Sequence, residues 1–119
     1  MLIVIAHGSR SPAWRASVER QVEMVLAELE PDALRLAYME LSPPTLRDVV
    51  SEAAQRGITS VRVLPLFLAA DGHVEKNVRP LVEEARAAFS SVDIELLPPL
   101  GQHRLFRELL RTLTVEETP

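Results

Sequence analysis

The stretch that decides the fold is Leu2–Arg10, which reads LIVIAHGSR. Its first five residues, Leu2–Ala6, are continuously apolar, and such a run is typical of a strand buried on both faces of a parallel sheet. The polar residues that follow end the run. Ser11 and Pro12 then supply a helix N-cap and a proline at the first helical position. The stretch therefore predicts a strand that leads directly into a helix.

The same alternation of strand and helix recurs along the chain. Further strands are predicted at Ala33–Met39, Ile58–Leu68 and Val92–Leu97. Each is followed by apolar residues at helical spacing, as the first strand is. For the four helices in turn, these residues are Val18, Val22, Val25, Leu26 and Leu29; Leu46, Val49, Val50 and Ala53; Leu81, Val82, Ala85 and Phe89; and Leu105, Phe106, Leu109, Leu110 and Leu113.

Prolines and glycines predict where these helices begin and end. Pro31 ends the first helix, Ser42–Pro43 repeats the cap-and-proline pattern before the second, and Gly57 follows it as a C-terminal glycine. Pro80 limits the start of the third helix to about that point. The last residues, Val115–Pro119, are expected to fray.

Alternating strands and helices predict βαβ units, a parallel sheet and right-handed crossovers. The expected architecture is a three-layer α/β domain with a four-stranded parallel sheet, covering residues 1–119 as one domain. The length of 119 residues fits one domain, and the low aromatic content of 4% suits a core of aliphatic side chains.

Composition excludes several kinds of site. The chain has no cysteine, so disulfides, thiolate metal sites and cysteine nucleophiles are excluded. A net charge of −4 argues against nucleic acid as the main partner. The N-terminus lacks the features of a signal peptide, and no stretch approaches the roughly 20 apolar residues of a membrane span. We therefore expect a cytoplasmic protein with no membrane association.

Ligands of open parallel sheets bind beyond the carboxyl ends of the strands, and this rule selects three residues. His7 follows the first strand, Glu40 the second and His73 the third. Two of the chain's three histidines thus fall at one edge of the sheet with a carboxylate between them. The third, His103, is interpreted as a solvated residue near the start of the last helix.

Each of these residues also has an ordinary structural interpretation. A histidine after a strand is often a hydrogen-bonded loop residue, and Glu40 could favour the N-terminus of the next helix by about 0.3–1 kcal/mol. The glycine-rich motifs that bind ATP or dinucleotides are absent. Position alone leaves the function of the edge open.

The sequence resembles a known family, the small sirohydrochlorin chelatases of the CbiX type, within the ATP-independent class II chelatases. The resemblance begins at IVIAHGSR (residues 3–10) and continues at AYMELSPPTL (37–46). It is most specific at VLPLFLAADGHVEKNVRPLVEEA (63–85), and the tail PPLGQHRLFRELL (98–110) also matches. These segments cover nearly the whole chain in the family's order.

The resemblance implies a flavodoxin-like sheet of order 2-1-3-4. It implies insertion of a divalent metal, cobalt or alternatively iron or nickel, into sirohydrochlorin or a related precorrin. His7 and His73 match the family's metal-site histidines, and Glu40 matches its acidic residue. No permanently bound cofactor is expected, because the metal is a substrate. The chain length matches the half-length form of the family, which pairs as a homodimer.

One segment departs from the family pattern G-G-H-V-x-x-D-[IL]-P. Asp71 stands in place of the first glycine, Asn77 in place of the aspartate, and Val78–Arg79 precede Pro80 like an insertion. Asn77 can still cap a helix, so we expect the fold to be kept. A role that needs a carboxylate at this position becomes doubtful.

The chemistry of metal insertion suggests roles for these residues. Neutral imidazole binds cobalt, nickel and ferrous ions and can accept protons, so His7 and His73 would present the metal and take up protons. Glu40 would act as a base or orient an imidazole. Substrate carboxylates would be bound by basic and hydroxyl side chains near these histidines, namely Ser9, Arg10, Lys76 and Arg79.

Two other functions fit the same residues. A metal or tetrapyrrole carrier would use the same cleft without turnover, and a flavodoxin-like interaction domain would bind no small ligand at all. Spectroscopic metalation with multiple turnovers distinguishes the enzyme from both.

Overall fold

The computed structural model describes residues 1–68, 72 and 74–116, with the backbone alone at Glu75. Its strands are β1 (Leu2–Ala6), β2 (Leu34–Tyr38), β3 (Ser60–Pro65) and β4 (Asp93–Leu96). Its α-helices are α1 (Pro12–Leu26), α2 (Leu46–Gln55), α3 (Arg79–Ala88) and α4 (Arg104–Glu116). A π-helical turn at Val74–Val78 leads into α3, and a 3-10 turn at Leu100–Gln102 precedes α4.

The four strands form one parallel sheet in the order β2-β1-β3-β4. Strand β1 lies at the centre and pairs with β2 and β3, with Val4 opposite Leu36 on one side and Leu64 on the other. Both the parallel sheet and the order 2-1-3-4 are confirmed. Because all strands run in one direction, their carboxyl ends lie at one edge, and His7 and Glu40 follow β1 and β2 at that edge.

One face of the sheet is fully covered by α2 and α3. Side chains that alternate along the strands, such as Ile3, Ile5, Val63 and Ile94, point to this face and are at most 2% exposed. The two helices contribute the buried residues Leu46, Val49, Val50, Ala53, Val82 and Ala85. This continuous aliphatic layer is the main core, as the low aromatic content predicted.

The opposite face is covered by α1 alone. A second cluster of side chains, Val4, Ala6, Leu34, Leu36 and Tyr38, lies beneath this helix. Leu64 and Leu66 at the β3 side are only half-buried. Helix α4 does not complete this layer: its main contacts are with the 3-10 turn before it, and none of its residues is buried.

The predicted start of the second helix at Ser42–Pro43 is wrong. Helix α2 begins at Leu46, and Thr45 is its N-cap, in a reciprocal capping box with Asp48. The segment before it stays a loop because the Tyr38 amide donates to the Pro44 carbonyl oxygen at 2.8 Å, which ties Pro44 to the end of β2.

Three other expected boundaries also differ. Helix α1 ends at Leu26, before Leu29, because its last turn tightens into 3-10 hydrogen bonds. Asn77 does not cap α3, since Val78 occupies the N-cap position without a side-chain bond. The expected fraying from Val115 is also wrong for Val115 and Glu116, which continue α4, while residues 117–119 lie outside the described part.

Strands β2, β3 and β4 are shorter than predicted, by one to several residues at each end. The largest difference is in β3, which begins at Ser60 because Ile58 still closes the turn after α2, where its amide donates to the Ala53 carbonyl oxygen. In the part of the chain that the structure describes, no helix is long and apolar enough to cross a membrane.

Candidate functional site

The carboxyl ends of β1 and β2 hold His7 and Glu40 next to each other. The Met39 amide donates to the Ala6 carbonyl oxygen at 2.8 Å, and the Glu40 amide donates to the His7 carbonyl oxygen at 3.2 Å. These bonds continue the β1–β2 ladder by two residues past its end. Both His7 and Glu40 are exposed, so the sheet edge presents an imidazole and a carboxylate to solvent.

Gly8 makes this close approach possible. Its φ is +97°, and a Cβ placed on it would lie 1.8 Å from the Glu40 carbonyl oxygen. Any other residue would therefore combine an unfavourable backbone conformation with a direct clash. Glycine is therefore a structural requirement at position 8, directly after His7.

The ring of His7 rests against the ring of Phe67. Their centroids are 4.7 Å apart with an interplanar angle of 44°. Phe67 follows β3 and is 9% exposed, so it belongs to the core while one part of its ring reaches the edge. A tilted contact of this kind restricts the orientation of the imidazole.

His73 and Asp71 lie outside the described residues. The chain on either side of His73 is described: Gly72 has φ +95°, and its carbonyl oxygen accepts from the Lys76 amide at 2.9 Å in the π-helical turn. Among residues 1–68, 72 and 74–116, no three histidine, aspartate or glutamate side chains are close enough to hold a metal ion. The pairing of His7 with His73 therefore stays a prediction.

Ser9 and Arg10 lie on the loop between β1 and α1. The Ser9 hydroxyl accepts from the Ser11 amide at 3.0 Å, and its carbonyl oxygen accepts from the Arg15 guanidinium at 2.7 Å. The hydroxyl hydrogen of Ser9 is still available to a ligand, and Arg10 is exposed. The loop follows His7 immediately, so both residues are near the first site residue in sequence and in space.

Lys76 and Arg79 lie on the segment after β3, where Lys76 is exposed in the π-helical turn. Arg79 lines a cavity of about 350 Å³ between this turn and the end of β4. The other walls are mainly apolar, with Val74, Leu97 and Pro98 among them. A cation in the wall of an apolar cavity suits a ligand that carries both hydrocarbon and carboxylate groups.

The loop after β2 contains two features that sequence did not predict. Leu41 has φ +70°, a left-handed conformation that costs a branched residue about 1 kcal/mol or more, and its side chain is half-exposed. Ser42 is buried, and within the described residues its hydroxyl has no hydrogen-bond partner. Both follow Glu40 directly in the chain.

Tyr38 supports this loop from below. It is fully buried at the end of β2, and its hydroxyl donates to a Glu19 carboxylate oxygen at 2.9 Å. Burial, and then the hydrogen bond and negative charge of Glu19, raise the pKa of Tyr38 to about 12. The phenol is therefore neutral at physiological pH and acts as a structural link between β2 and α1.

Two residues that position the edge were missed in the sequence. Phe67 could have been recognised as an aromatic side chain at the end of a buried strand. Gly101 has no such signal: a Cβ there would lie 1.7 Å from the Leu68 carbonyl oxygen, and its amide donates to the Phe67 carbonyl oxygen at 2.9 Å. Gly101 thus fixes the chain that follows β3.

Comparison with known proteins agrees with this architecture. A CbiX protein from Marinobacter aquaeolei superposes with a TM-score of 0.83 at 34% sequence identity, over 98% of this chain and 94% of that one. The sirohydrochlorin chelatase SirB from Bacillus subtilis, solved with cobalt, has a TM-score of 0.79 at 19% identity and is matched over 50% of its chain. The latter similarity concerns the fold alone.

Relatives in sequence are sirohydrochlorin chelatases. The chloroplastic sirohydrochlorin ferrochelatase of Arabidopsis thaliana is 29% identical over 92% of this chain, and the sirohydrochlorin cobaltochelatase of Methanosarcina acetivorans is 28% identical over the same share. This chain spans 48% of the Arabidopsis protein and 89% of the Methanosarcina protein. The family model CbiX matches residues 1–117. The chain therefore belongs to the CbiX family.

Proposed function

We propose that this chain inserts a divalent metal ion into sirohydrochlorin or a closely related precorrin without ATP. The observation that carries the proposal is the match to the CbiX family over residues 1–117 together with the Methanosarcina cobaltochelatase, of which the chain spans 89%. Cobalt is the metal we favour. Iron and nickel are alternatives, because imidazole ligands accept all three metals.

The reaction replaces two pyrrole N–H protons of the macrocycle by one divalent cation, so the site must present the ion and accept two protons. We assign both tasks to His7 and His73. The exposed imidazole of His7, held by Phe67, can bind an ion that is still partly hydrated and release it to the macrocycle. Two protein ligands position an ion without enclosing it, which favours transfer over permanent binding.

Glu40 would accept a proton or orient an imidazole. The hydrogen bond that the Glu40 amide donates to the His7 carbonyl oxygen keeps the two residues together, and the exposed side chain can turn toward the ligand. The substrate's carboxylates would be bound by Arg10 and the Ser9 hydroxyl on one side, and by Lys76 and Arg79 on the other. The largely apolar cavity beside Arg79 supports this second position.

We further propose a homodimer located in the cytoplasm, as the resemblance to half-length relatives implies. The metal is a substrate in this scheme, and no resident cofactor is required.

The test is metalation of sirohydrochlorin followed by absorbance under anaerobic conditions, with cobalt, ferrous iron and nickel compared side by side. The protein is kept well below the tetrapyrrole concentration, so that many turnovers are needed for full conversion. His7→Ala and His73→Ala should each lower the rate by about 100-fold or more. His103→Ser is the matched control, because it removes the remaining histidine but keeps an acceptor for the Leu105 amide.

Wild-type protein that accelerates insertion of none of the three metals would contradict the enzyme. Conversion that stops at one equivalent per chain would instead identify a carrier. If both histidine variants keep the wild-type rate, the metal site is not formed by His7 and His73, whether or not the chain is a chelatase.

A further inference from the structure

The loop after β2 is held at both ends by backbone hydrogen bonds. At its start, the Glu40 amide donates to the His7 carbonyl oxygen at 3.2 Å. At its end, the Pro44 carbonyl oxygen accepts from the amide of Tyr38, the last residue of β2, at 2.8 Å. The chain therefore leaves the strand and returns to its end within a few residues, and this short path sets the conformation of the residues between the two bonds.

Burial in this loop is the reverse of what the hydrophobic effect favours. The Leu41 side chain is 53% exposed, whereas Ser42, the next residue, is only 8% exposed. The Ser42 hydroxyl has no hydrogen-bond partner among the described residues. It faces the loop after β1, since a Cβ on Gly8 would lie 3.4 Å from its Oγ. The loop thus places a hydroxyl in the interior and a large apolar side chain in water.

The backbone of Leu41 is a second unfavourable feature. Its φ is +70°, a left-handed conformation that glycine and asparagine adopt more readily than leucine. Strained conformations of this kind persist where the surrounding structure enforces them, and they cluster at ligand sites. An exposed apolar side chain and a strained backbone therefore coincide in one residue, directly after Glu40, and neither stabilises the fold.

We infer that Leu41 is a contact residue for the macrocycle, and that its exposed side chain lies against the flat apolar face of the tetrapyrrole while His7 presents the metal ion. The inference rests on the proposed function, because the ligand is the tetrapyrrole of that reaction. A macrocycle centred over His7 extends over the neighbouring strand ends, and the bond between Glu40 and His7 places Leu41 at one of them.

The chemistry of the ligand matches this arrangement. A tetrapyrrole has apolar faces and carries its carboxylates at the rim, and sites for such ligands combine apolar contacts with a few charged groups. Covering the exposed half of a leucine side chain contributes about a ten-fold gain in affinity. Because Leu41 would touch the macrocycle and not the ion, its loss should raise KM for the tetrapyrrole and leave kcat within about two-fold.

The test compares Leu41→Asn with the wild type. Asparagine is close to leucine in size and tolerates a positive φ, but it lacks the apolar side chain. The dissociation constant of metal-free sirohydrochlorin is measured from the quenching of Trp14, the only tryptophan of the chain, whose ring lies 6.2 Å from that of Tyr38. We expect binding to weaken about ten-fold, KM to rise by the same factor, and the melting temperature to be unchanged or higher.

Leu29→Asn is the matched control. Leu29 is 50% exposed but lies between the end of α1 and the start of β2, at the opposite end of the strands from Glu40. Its variant should bind the tetrapyrrole as the wild type does. Leu41→Met keeps an apolar side chain of similar volume, so its dissociation constant should stay within about two-fold of the wild type.

Leu41→Gly is a second variant with the same expected loss of binding, and it replaces Leu41→Asn in the comparison if the latter does not fold. Equal binding by the wild type and the variant would overturn the role of Leu41 and leave the chelatase intact. A wild type that binds no tetrapyrrole would overturn both. Weaker binding by the variant, with no metal insertion by the wild type, would support the contact and contradict the chelatase alone. A variant whose mass by light scattering differs from the wild type would identify Leu41 as a contact between copies, which also overturns the inference.

Discussion

The Glu40 amide donates to the His7 carbonyl oxygen at 3.2 Å, directly beyond the last residue pair of β1 and β2. The two residues that the sequence singled out at the ends of adjacent strands are therefore joined through their backbones. The distance between them depends on how closely the loop after β1 approaches the loop after β2. Gly8 permits this approach because it has no Cβ.

Replacing Gly8 by alanine should damage both stability and metal insertion. The new Cβ would meet the Glu40 carbonyl oxygen at 1.8 Å and would sit at φ +97°, so the two loops must separate. We expect the free energy of unfolding to fall by about 2–4 kcal/mol in urea titrations. Metalation should fall with it, because His7 and Glu40 move apart.

Gly57→Ala and Gly101→Ala separate the effect of the positive φ from the effect of the close contact. Gly57 has φ +75° with no atom within 4 Å of its hypothetical Cβ, so its variant should lose only about 1–2 kcal/mol. Gly101 has the close contact, with the Leu68 carbonyl oxygen, without a positive φ. If Gly8→Ala loses no more than Gly57→Ala, the close approach at Glu40 is not what requires glycine.

Alanine should destabilise the protein at position 45 but not at position 42. Thr45→Ala removes the side-chain oxygen that accepts from the Asp48 amide at 3.1 Å, and should destabilise the protein by about 1 kcal/mol. Ser42→Ala removes a buried hydroxyl without a partner in the described residues, and should be neutral or stabilising by up to about 1 kcal/mol. Thermal unfolding measures both. Equal losses in the two variants would argue that Ser42 takes part in capping α2.

The amino-acid sequence predicted the strands correctly but misplaced the start of α2, near Ser42 and Thr45. Apolar residues predicted all four strands: β1 is a continuous apolar run, whereas in β4 apolar and charged residues alternate and Ile94 faces the core. Ser42–Pro43 and Thr45–Asp48 both resemble helix starts, and a single sequence does not show that Pro44 is bonded to the end of β2. The choice between them depends on a tertiary contact.

At the candidate site, too, the sequence predicted some residues and missed others. The rule for parallel sheets identified His7 and Glu40 as neighbours, since it needs only the ends of strands. Phe67 and Gly101 escaped prediction because their roles come from contacts between segments distant in sequence: Phe67 touches the ring of His7, and Gly101 packs on the Leu68 carbonyl oxygen. His73 lies outside the described residues, so its position is still a prediction.

The free energy of unfolding should fall at alkaline pH because the pKa of Tyr38 is raised in the folded protein. Its pKa is about 12 in the folded protein and about 10 when unfolded, so between these values the unfolded chain has lost a proton that the folded protein keeps. The stabilising contribution is complete below pH 10 and decreases as the pH rises toward 12, by at most about 1.4 kcal/mol per pH unit.

Urea unfolding of wild type and Tyr38→Phe between pH 8 and 11.5 measures this contribution. The variant lacks the hydrogen bond to Glu19 and should be less stable at pH 8, by about 1 kcal/mol. The difference between the two proteins should shrink as the pH rises above 10. A difference that is constant across the range would mean that Tyr38 does not titrate differently in the two states.

Phe67 should act on metal insertion through the orientation of His7. Phe67→Leu keeps an apolar side chain in the core but removes the ring that lies 4.7 Å from the imidazole centroid. We expect a loss of stability of about 1 kcal/mol and a larger, roughly ten-fold fall in the metalation kcat. KM for the tetrapyrrole should change little, because Phe67 would position a ligand of the metal and not the macrocycle.

Phe89→Leu is the matched control. Phe89 packs against the same core beneath the Arg47 guanidinium. It lies at the end of α3, shortly before β4 begins, and therefore at the opposite end of the strands from His7. The variant should cost a similar stability and leave kcat unchanged. If the two variants lose activity in proportion to their stability alone, the contact between His7 and Phe67 has no positioning role.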